Sequence, residues 1–183
     1  MPNWCFAGVR VSGPKEKVRK LFNMMKNLEE MEEPLVENGF GSSWYGNLVT
    51  ILGGDWNEIY CRGSWSDLRL IEDDVLAWND ETAWSPMAEV FELIEKAIPG
   101  LKVWYIAEEE GMEIYITNDR ECRYFPDRYI LQTPEDREYY ESLDQLLSDA
   151  AKELKFVINT KEELEDTIQD LEDWAFYEFE VVD

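Results

Sequence analysis

The chain holds 41 Asp and Glu, three Cys and no His, and that inventory narrows its chemistry before any fold is drawn. Without His, the commonest general base and the commonest metal ligand are missing. Ser–His and Cys–His nucleophile pairs cannot be assembled from this chain alone. Cys5, Cys61 and Cys122 are widely spaced and form no CxxC, a usage that fits free thiols in a reducing cytosol better than a disulfide framework. Gly53-Gly54 and the glycines at 39 and 41 lack the GxGxxG or GxxxxGK[ST] spacing that cradles phosphate. Asp73-Asp74 and Asp80-Glu81 are carboxylate pairs, but neither has the DxDxDG rhythm of a calcium loop. The expectation is a non-catalytic chain with no cofactor and no metal.

Charge is the stronger signal. Seventeen Lys and Arg against 41 Asp and Glu leave a formal net charge of −24, which repels phosphate backbones and anionic membranes. Residues 1–27 carry six basic and one acidic side chain, whereas residues 135–183 carry four basic and seventeen acidic. Within that acidic third, Thr160 and Glu163 form a capping-box pattern opening a helix with Leu164, Ile168 and Leu171 inward. Glu162, Asp166, Asp170 and Asp173 then fall on the outer face, successive i, i+4 carboxylates lying about 6 Å apart along the axis. Like charges so placed cost an isolated helix about 0.2–0.5 kcal/mol each. Such a row is either a solvated face or a surface that imitates a nucleic-acid backbone in the basic groove of a protein partner. Lys15, Lys17, Arg19, Lys20 and Lys26 line one helix face and are expected to pair within the molecule, with 29–37 or with the acidic C-terminus.

The eight Trp divide by context. Trp4, Trp78, Trp84 and Trp104 are expected in the core or in turn packing. Trp44 and Tyr45 lie in the Gly/Ser-rich stretch NGFGSSWYGN (38–47) and are expected as exposed partner contacts beside the acidic row. A hydrophobic share of 45% and an aromatic share of 14% suffice for a packed core and argue against wholesale disorder. No long apolar run marks a signal peptide or a transmembrane span, so the expected compartment is the cytoplasm.

The elements that must position these residues follow from periodicity. Residues 4–12 alternate as a strand with Phe6, Val9 and Val11 inward. Val18, Leu21, Phe22, Met25 and Leu28 mark a helix after Ser12-Gly13-Pro14. LVTIL (48–52) and WNEIYCR (56–62) read as strands, and SWSDLRLIEDD (64–74) is open between a short helix and a loop. The stretch 74–100 reads as a strand, a Trp-containing turn and a helix with Ser85 as cap, Pro86 at its first position, and Met87, Val90, Phe91, Ile94 and Ile98 as its apolar stripe. A hairpin, 101–107 with 112–117, follows. The C-terminal third reads as a strand (123–132), two helices and a strand (175–182), Ser142 with Gln145 capping the first helix.

The order strand–helix–strand–strand–helix–strand matches a ferredoxin-like split βαβ sandwich: α+β, a mainly antiparallel sheet with helices on one face. Residues 1–118 would form that domain, and 119–183 an acidic strand–helix–helix–strand extension packed on it. Two stretches carry a family resemblance. Met1-Pro2-Asn3-Trp4-Cys5 leading to Val11-Ser12-Gly13-Pro14, and Thr82-Ala83-Trp84-Ser85-Pro86 leading through Pro99-Gly100-Leu101 to Glu109-Glu110-Gly111-Met112, resemble a phage and plasmid family with a YubB-type ferredoxin-like domain. Arg62-Gly63-Ser64-Trp65 stands where that family's middle segment reads N-W-G-T-K-W. The resemblance implies a ferredoxin-like fold and a mobile-element origin, and no catalytic residues. The expected function is a non-catalytic, acidic protein-binding module that occludes the groove of a basic host protein, such as a defence nuclease of the CRISPR or restriction type, without binding nucleic acid or membrane itself. The alternative is a self-associating phage accessory protein.

Overall fold

The computed structural model describes residues 3–37 and 39–183. Met1 and Pro2 of the first family-like motif and Asn38 of the Gly/Ser stretch lie outside them. Among the described residues the fold is α+β, with a mostly antiparallel sheet and five α-helices. The chain divides into two compact units, Met1–Asn118 and Asp119–Asp183. Among the described residues no helix is long and apolar enough to cross a membrane.

In the first unit, β1 (Trp4–Ser12), β2 (Gly63–Glu72), β3 (Val75–Ala83), β4 (Lys102–Glu109) and β5 (Ile114–Thr117) stand in the order β2-β3-β1-β4-β5. The pairs β1–β3, β1–β4, β2–β3 and β4–β5 are antiparallel. Cys5, Ala7, Val9 and Val11 of β1 are buried. Helix α1 (Lys15–Glu29) lies against β2 and β3, α2 (Tyr45–Ile51) against β2, and α3 (Ala88–Ala97) against β4. Val18, Leu21, Met25 and Leu28 of α1, and Val90, Phe91 and Ile94 of α3, form the buried stripes their spacing predicts. Phe6 is a correction. It sits one residue out of phase with Cys5 and Ala7, so the two-residue pleat turns it to the other face, where it is 55% exposed.

Three further expectations fail for identifiable reasons. Residues 48–51, expected as a strand, belong to α2. Leu48 and Val49 are buried there, and Asn47, wholly buried, accepts from the Val36 N–H and donates to the carbonyls of Gly41 and Ser42. That amide fixes the helix start to the preceding connection, and tertiary bonding overrides β-branched propensity. Residues 56–62 form turns and irregular chain, whereas the ambiguous 64–72 form β2, whose register slips after Ser66, where Asp67 adopts φ 56°. Ser85 does not cap α3. Met87 holds that position, no side chain bonds the helix start, and the Ser85 carbonyl accepts from Thr82 Oγ1. The basic face of α1 pairs within the first unit: Lys15 and Arg19 reach Asp73 at 2.5 and 2.9 Å, and Lys26 reaches Glu29 at 2.8 Å. The two Asp73 pairs are solvent-exposed, so each adds little stability.

In the second unit β6 (Tyr129–Gln132) is flanked by β7 (Arg137–Tyr140) and β8 (Ala175–Glu178), both antiparallel. β7 is a strand that the sequence pattern does not announce, and a two-residue strand, β9 (Glu180–Val181), ends the chain's elements. Helices α4 (Leu143–Leu154) and α5 (Lys161–Ile168) supply Leu146, Leu147, Ala150, Leu164 and Ile168 to a core with Leu131, Tyr140 and Ile158. The Ser142 side chain makes no cap, whereas Thr160 accepts from the Glu163 N–H; the Glu163 carboxylate reaches back to the Asn159 N–H. Before the sheet, the buried Asp119 carboxylate accepts from the N–H groups of Arg123, Tyr124 and Phe125 at 2.9, 2.6 and 2.9 Å. Asp119→Ala strips three donors of their acceptor, the Phe125 N–H buried and the other two partly buried, and is expected to cost about 2–3 kcal/mol, because a buried group without its partner pays its desolvation in full. A denaturant midpoint unchanged within error would refute that assignment.

Candidate functional site

The expected acidic row is present as exposed carboxylates but not as one helical stripe. Glu162 and Asp166 lie on α5, which ends at Ile168; Asp170 sits in the turn that follows, and Asp173 has φ 65°. Leu171, expected inward as the next member of the stripe, is exposed. The apolar period continues to Leu171 in the sequence, but α5 ends at Ile168 with Gln169 as its C-cap and Leu171 lies beyond the helix. The four carboxylates therefore share a stretch of chain and a solvent-facing setting, not a common helix face.

Trp44 and Tyr45 are corrections. Trp44 is 4% exposed and Tyr45 is 0% exposed, because the Gly/Ser stretch gives way to α2 at Tyr45 and turns both rings into the protein. Phe40 stacks on Trp44 with centroids 5.1 Å apart, and Trp56 meets Trp44 edge-on at 5.5 Å. Gly46 is required by this packing: a Cβ there would come within 2.0 Å of the Trp44 ring. Tyr45 enters a buried polar group with Trp78 and Asp80. Its hydroxyl donates to Asp80 Oδ1, and Trp78 Nε1 lies 2.7 Å from both the Tyr45 oxygen and Asp80 Oδ1. Burial pushes the Asp80 carboxyl up to about 7 and the Tyr45 hydroxyl well above its usual value. Asp80 Oδ2 has no hydrogen-bond partner among the described residues.

The carboxylate pairs noted in the sequence do not act together. Asp80 is buried while Glu81, its neighbour on β3, is exposed on the opposite face, and Asp73 is held by Lys15 and Arg19. Among the described residues no group of three or more Cys, Asp or Glu is placed to hold a metal ion. The thiols are poor nucleophiles where they are enclosed: burial pushes Cys5 up to about 11 and also raises Cys61, while Cys122 is exposed.

The concave surface lies where the sequence pointed least. Trp4, Phe40, Trp44 and Trp65 line a cleft of about 400 Å³ with Arg62 and Glu81, floored by Ser64 and Ser66 of β2. On the other side of Trp4 a second cleft of about 390 Å³ is lined by Asn3, Phe6, Glu108 and Glu110. Trp4 is 46% exposed and Trp84 39% exposed, against the expected packing in the core or in a turn. Trp4 shares the outward phase of Phe6, and Trp84, at φ 69°, is held by a backbone bond to the Asn3 carbonyl just beyond the sheet. The signal in the sequence is the phase of β1: with Cys5, Ala7, Val9 and Val11 as the small or aliphatic inward set, Trp4 and Phe6 must point outward together.

The first cleft offers aromatic faces, a carboxylate and a guanidinium, which is equipment for binding. Comparisons with family models, with curated proteins and with solved structures found no match to this chain.

Proposed function

We propose that the chain is a non-catalytic acidic binding module that holds a basic protein partner. The observation that carries this reading is the charge of the second unit, where 20 acidic residues stand against 7 basic ones, with Glu162, Asp166, Asp170 and Asp173 all exposed. Such a surface attracts cationic proteins at long range, raises the rate of encounter and repels nucleic acid. In its sharpest form the partner is a nucleic-acid-binding nuclease of a host cell, of the restriction or CRISPR type, whose groove the carboxylates occupy in the cytoplasm. The strand order β2-β3-β1-β4 with antiparallel neighbours supports reading the first unit as a ferredoxin-like split βαβ sandwich. The two quoted motifs alone carry the further reading of a mobile-element origin in the family with a YubB-type domain.

The test is capture of purified basic nucleases by the immobilised chain, repeated with Glu162, Asp166, Asp170 and Asp173 all changed to Lys. Wild-type capture that falls about tenfold or more in the variant, and that weakens with added salt, is the expected outcome. Capture unaffected by the four reversals would remove the groove-occluding role of these carboxylates.

A further inference from the structure

We infer that the outward face of the first unit's sheet is a receptor for an arginine side chain of the basic partner, seated on Trp4 and Phe6 and held by Glu81. The inference rests on the proposed reading and adds to it the place and chemistry of the anchor. Strand register sets it out. Phe6 stands directly opposite Glu81 on β3 and directly opposite Glu108 on β4. Directly opposed residues of neighbouring strands share a face, with Cβ atoms about 4.5–5.5 Å apart. An exposed aromatic ring is therefore bracketed by two carboxylates, and the next outward residue toward the chain start is Trp4. The next outward residue in the other direction is Gly8, which carries no side chain to cover Phe6.

Glu81 is the decisive group. Its cross-strand neighbours are Phe6 and Ser64, neither of which is a cation, and it faces the cleft that Trp4 and Phe40 wall. A guanidinium is flat, weakly hydrated and forked, so it stacks on an indole or phenyl face while its edge donates to a carboxylate. An ammonium makes the second contact less well and the first only as a point charge. The overall charge of −24 favours a cation over an anion at this face. Arg62 lines the same cleft, and its fixed charge disfavours a second bound cation there.

The test is titration of an arginine-rich peptide into the full chain, beside the same peptide with citrulline for arginine or lysine for arginine, at about 0.15 M ionic strength, where surface charges are screened beyond about 8 Å. Binding is read by calorimetry for wild type, Trp4→Ala, Glu81→Gln and the four-fold Lys variant at 162, 166, 170 and 173. Trp4 and Glu81 are exposed, so melting temperatures that match wild type establish that each variant is folded. The expected result is that the arginine peptide binds more tightly than its lysine twin and the citrulline peptide binds least. Trp4→Ala and Glu81→Gln should each weaken arginine-peptide binding about tenfold. Equal binding of arginine and citrulline peptides, or unchanged affinity in Glu81→Gln, overturns the inference. So does concentration-dependent dimerisation that Trp4→Ala abolishes, since the face then serves a second copy. Nuclease capture that survives Trp4→Ala and Glu81→Gln but fails in the four-fold variant also overturns it and leaves the acidic-module reading standing. The converse pattern, with arginine-peptide binding lost in Trp4→Ala and no nuclease captured by wild type, upholds the receptor and overturns the nuclease reading.

Discussion

Trp44→Ala is expected to lower the stability of the Met1–Asn118 unit by about 3–5 kcal/mol, the range for removing a large buried aromatic side chain. Three contacts go at once: the stack with Phe40, the edge contact with Trp56 and the seat on Gly46. Trp44 also immediately precedes α2, so the cavity opens beneath the first turn of a seven-residue helix, too short to persist without tertiary packing. The reciprocal change isolates the cause. Gly46→Ala places a methyl group against the Trp44 ring and should itself be strongly destabilising, because overpacking an enclosed ring forces either ring or backbone to move. In the double variant the methyl group meets a cavity, so its cost should largely vanish, giving strong non-additivity. Urea midpoints of the four proteins measure it. Additive effects would mean that the ring and the glycine do not constrain each other.

A second large effect should appear as pH dependence. The folded Asp80 carboxyl sits near 7, above an unfolded value of about 3.9. A group raised on folding contributes stability that is fully present below the unfolded pKa and is lost as pH rises through the folded one. Stability attributable to Asp80 should therefore decline between about pH 4 and pH 7 and then level off. The whole decline is roughly 4 kcal/mol, because each tenfold change in proton affinity is worth about 1.4 kcal/mol. Asp80→Asn keeps an oxygen to accept from Tyr45 and Trp78 but cannot ionise. Its extra amide N–H groups take the place of Oδ2, which has no partner among the described residues, and leaving a donor unmet offsets about 1–3 kcal/mol of the gain. The discriminating quantity is therefore the difference in slope: the wild-type denaturation midpoint minus that of Asp80→Asn should fall steadily from about pH 4 to about pH 7. Parallel curves across that range would show that Asp80 does not titrate there in the folded protein.

Both predictions concern residues whose roles the linear chain misstates, and the reason is common to them. Local periodicity is sufficient for α1, α3 and α4, because a 3.6-residue apolar stripe needs only a surface to cover, whichever surface that is. It is sufficient for β1 as an element too, but not for its phase at Phe6. There, large size suggests burial, although the inward set is Cys5, Ala7, Val9 and Val11. Residues 48–51 look like a strand because of a β-branched character that is only a weak preference, and the bonds that override it come from 36, 41 and 42. The glycines and serines around Trp44 and Tyr45 suggest an open loop, whereas what encloses the two rings are Phe40, Trp56, Trp78 and Asp80. The acidic stretch at 162–173 is legible as charge, since composition alone sets that. Its continuity as one helical row is not, since the helix stops where its buried contacts stop.

By itself, then, the sequence determined that the chain has no His to build a site from, the sign and size of its charge, and the existence of most of its helices. Each depends only on which residues are present or on neighbours three and four apart. The tertiary structure alone decided which tryptophans are walls of an open cleft and which are core. It also decided that Glu81 faces outward between Phe6 and Ser64 while Asp80, one residue earlier, is sealed inside. Those distinctions arise from strand register, which joins residues some 75 positions apart. A shift of one residue in that register exchanges the two faces of the sheet.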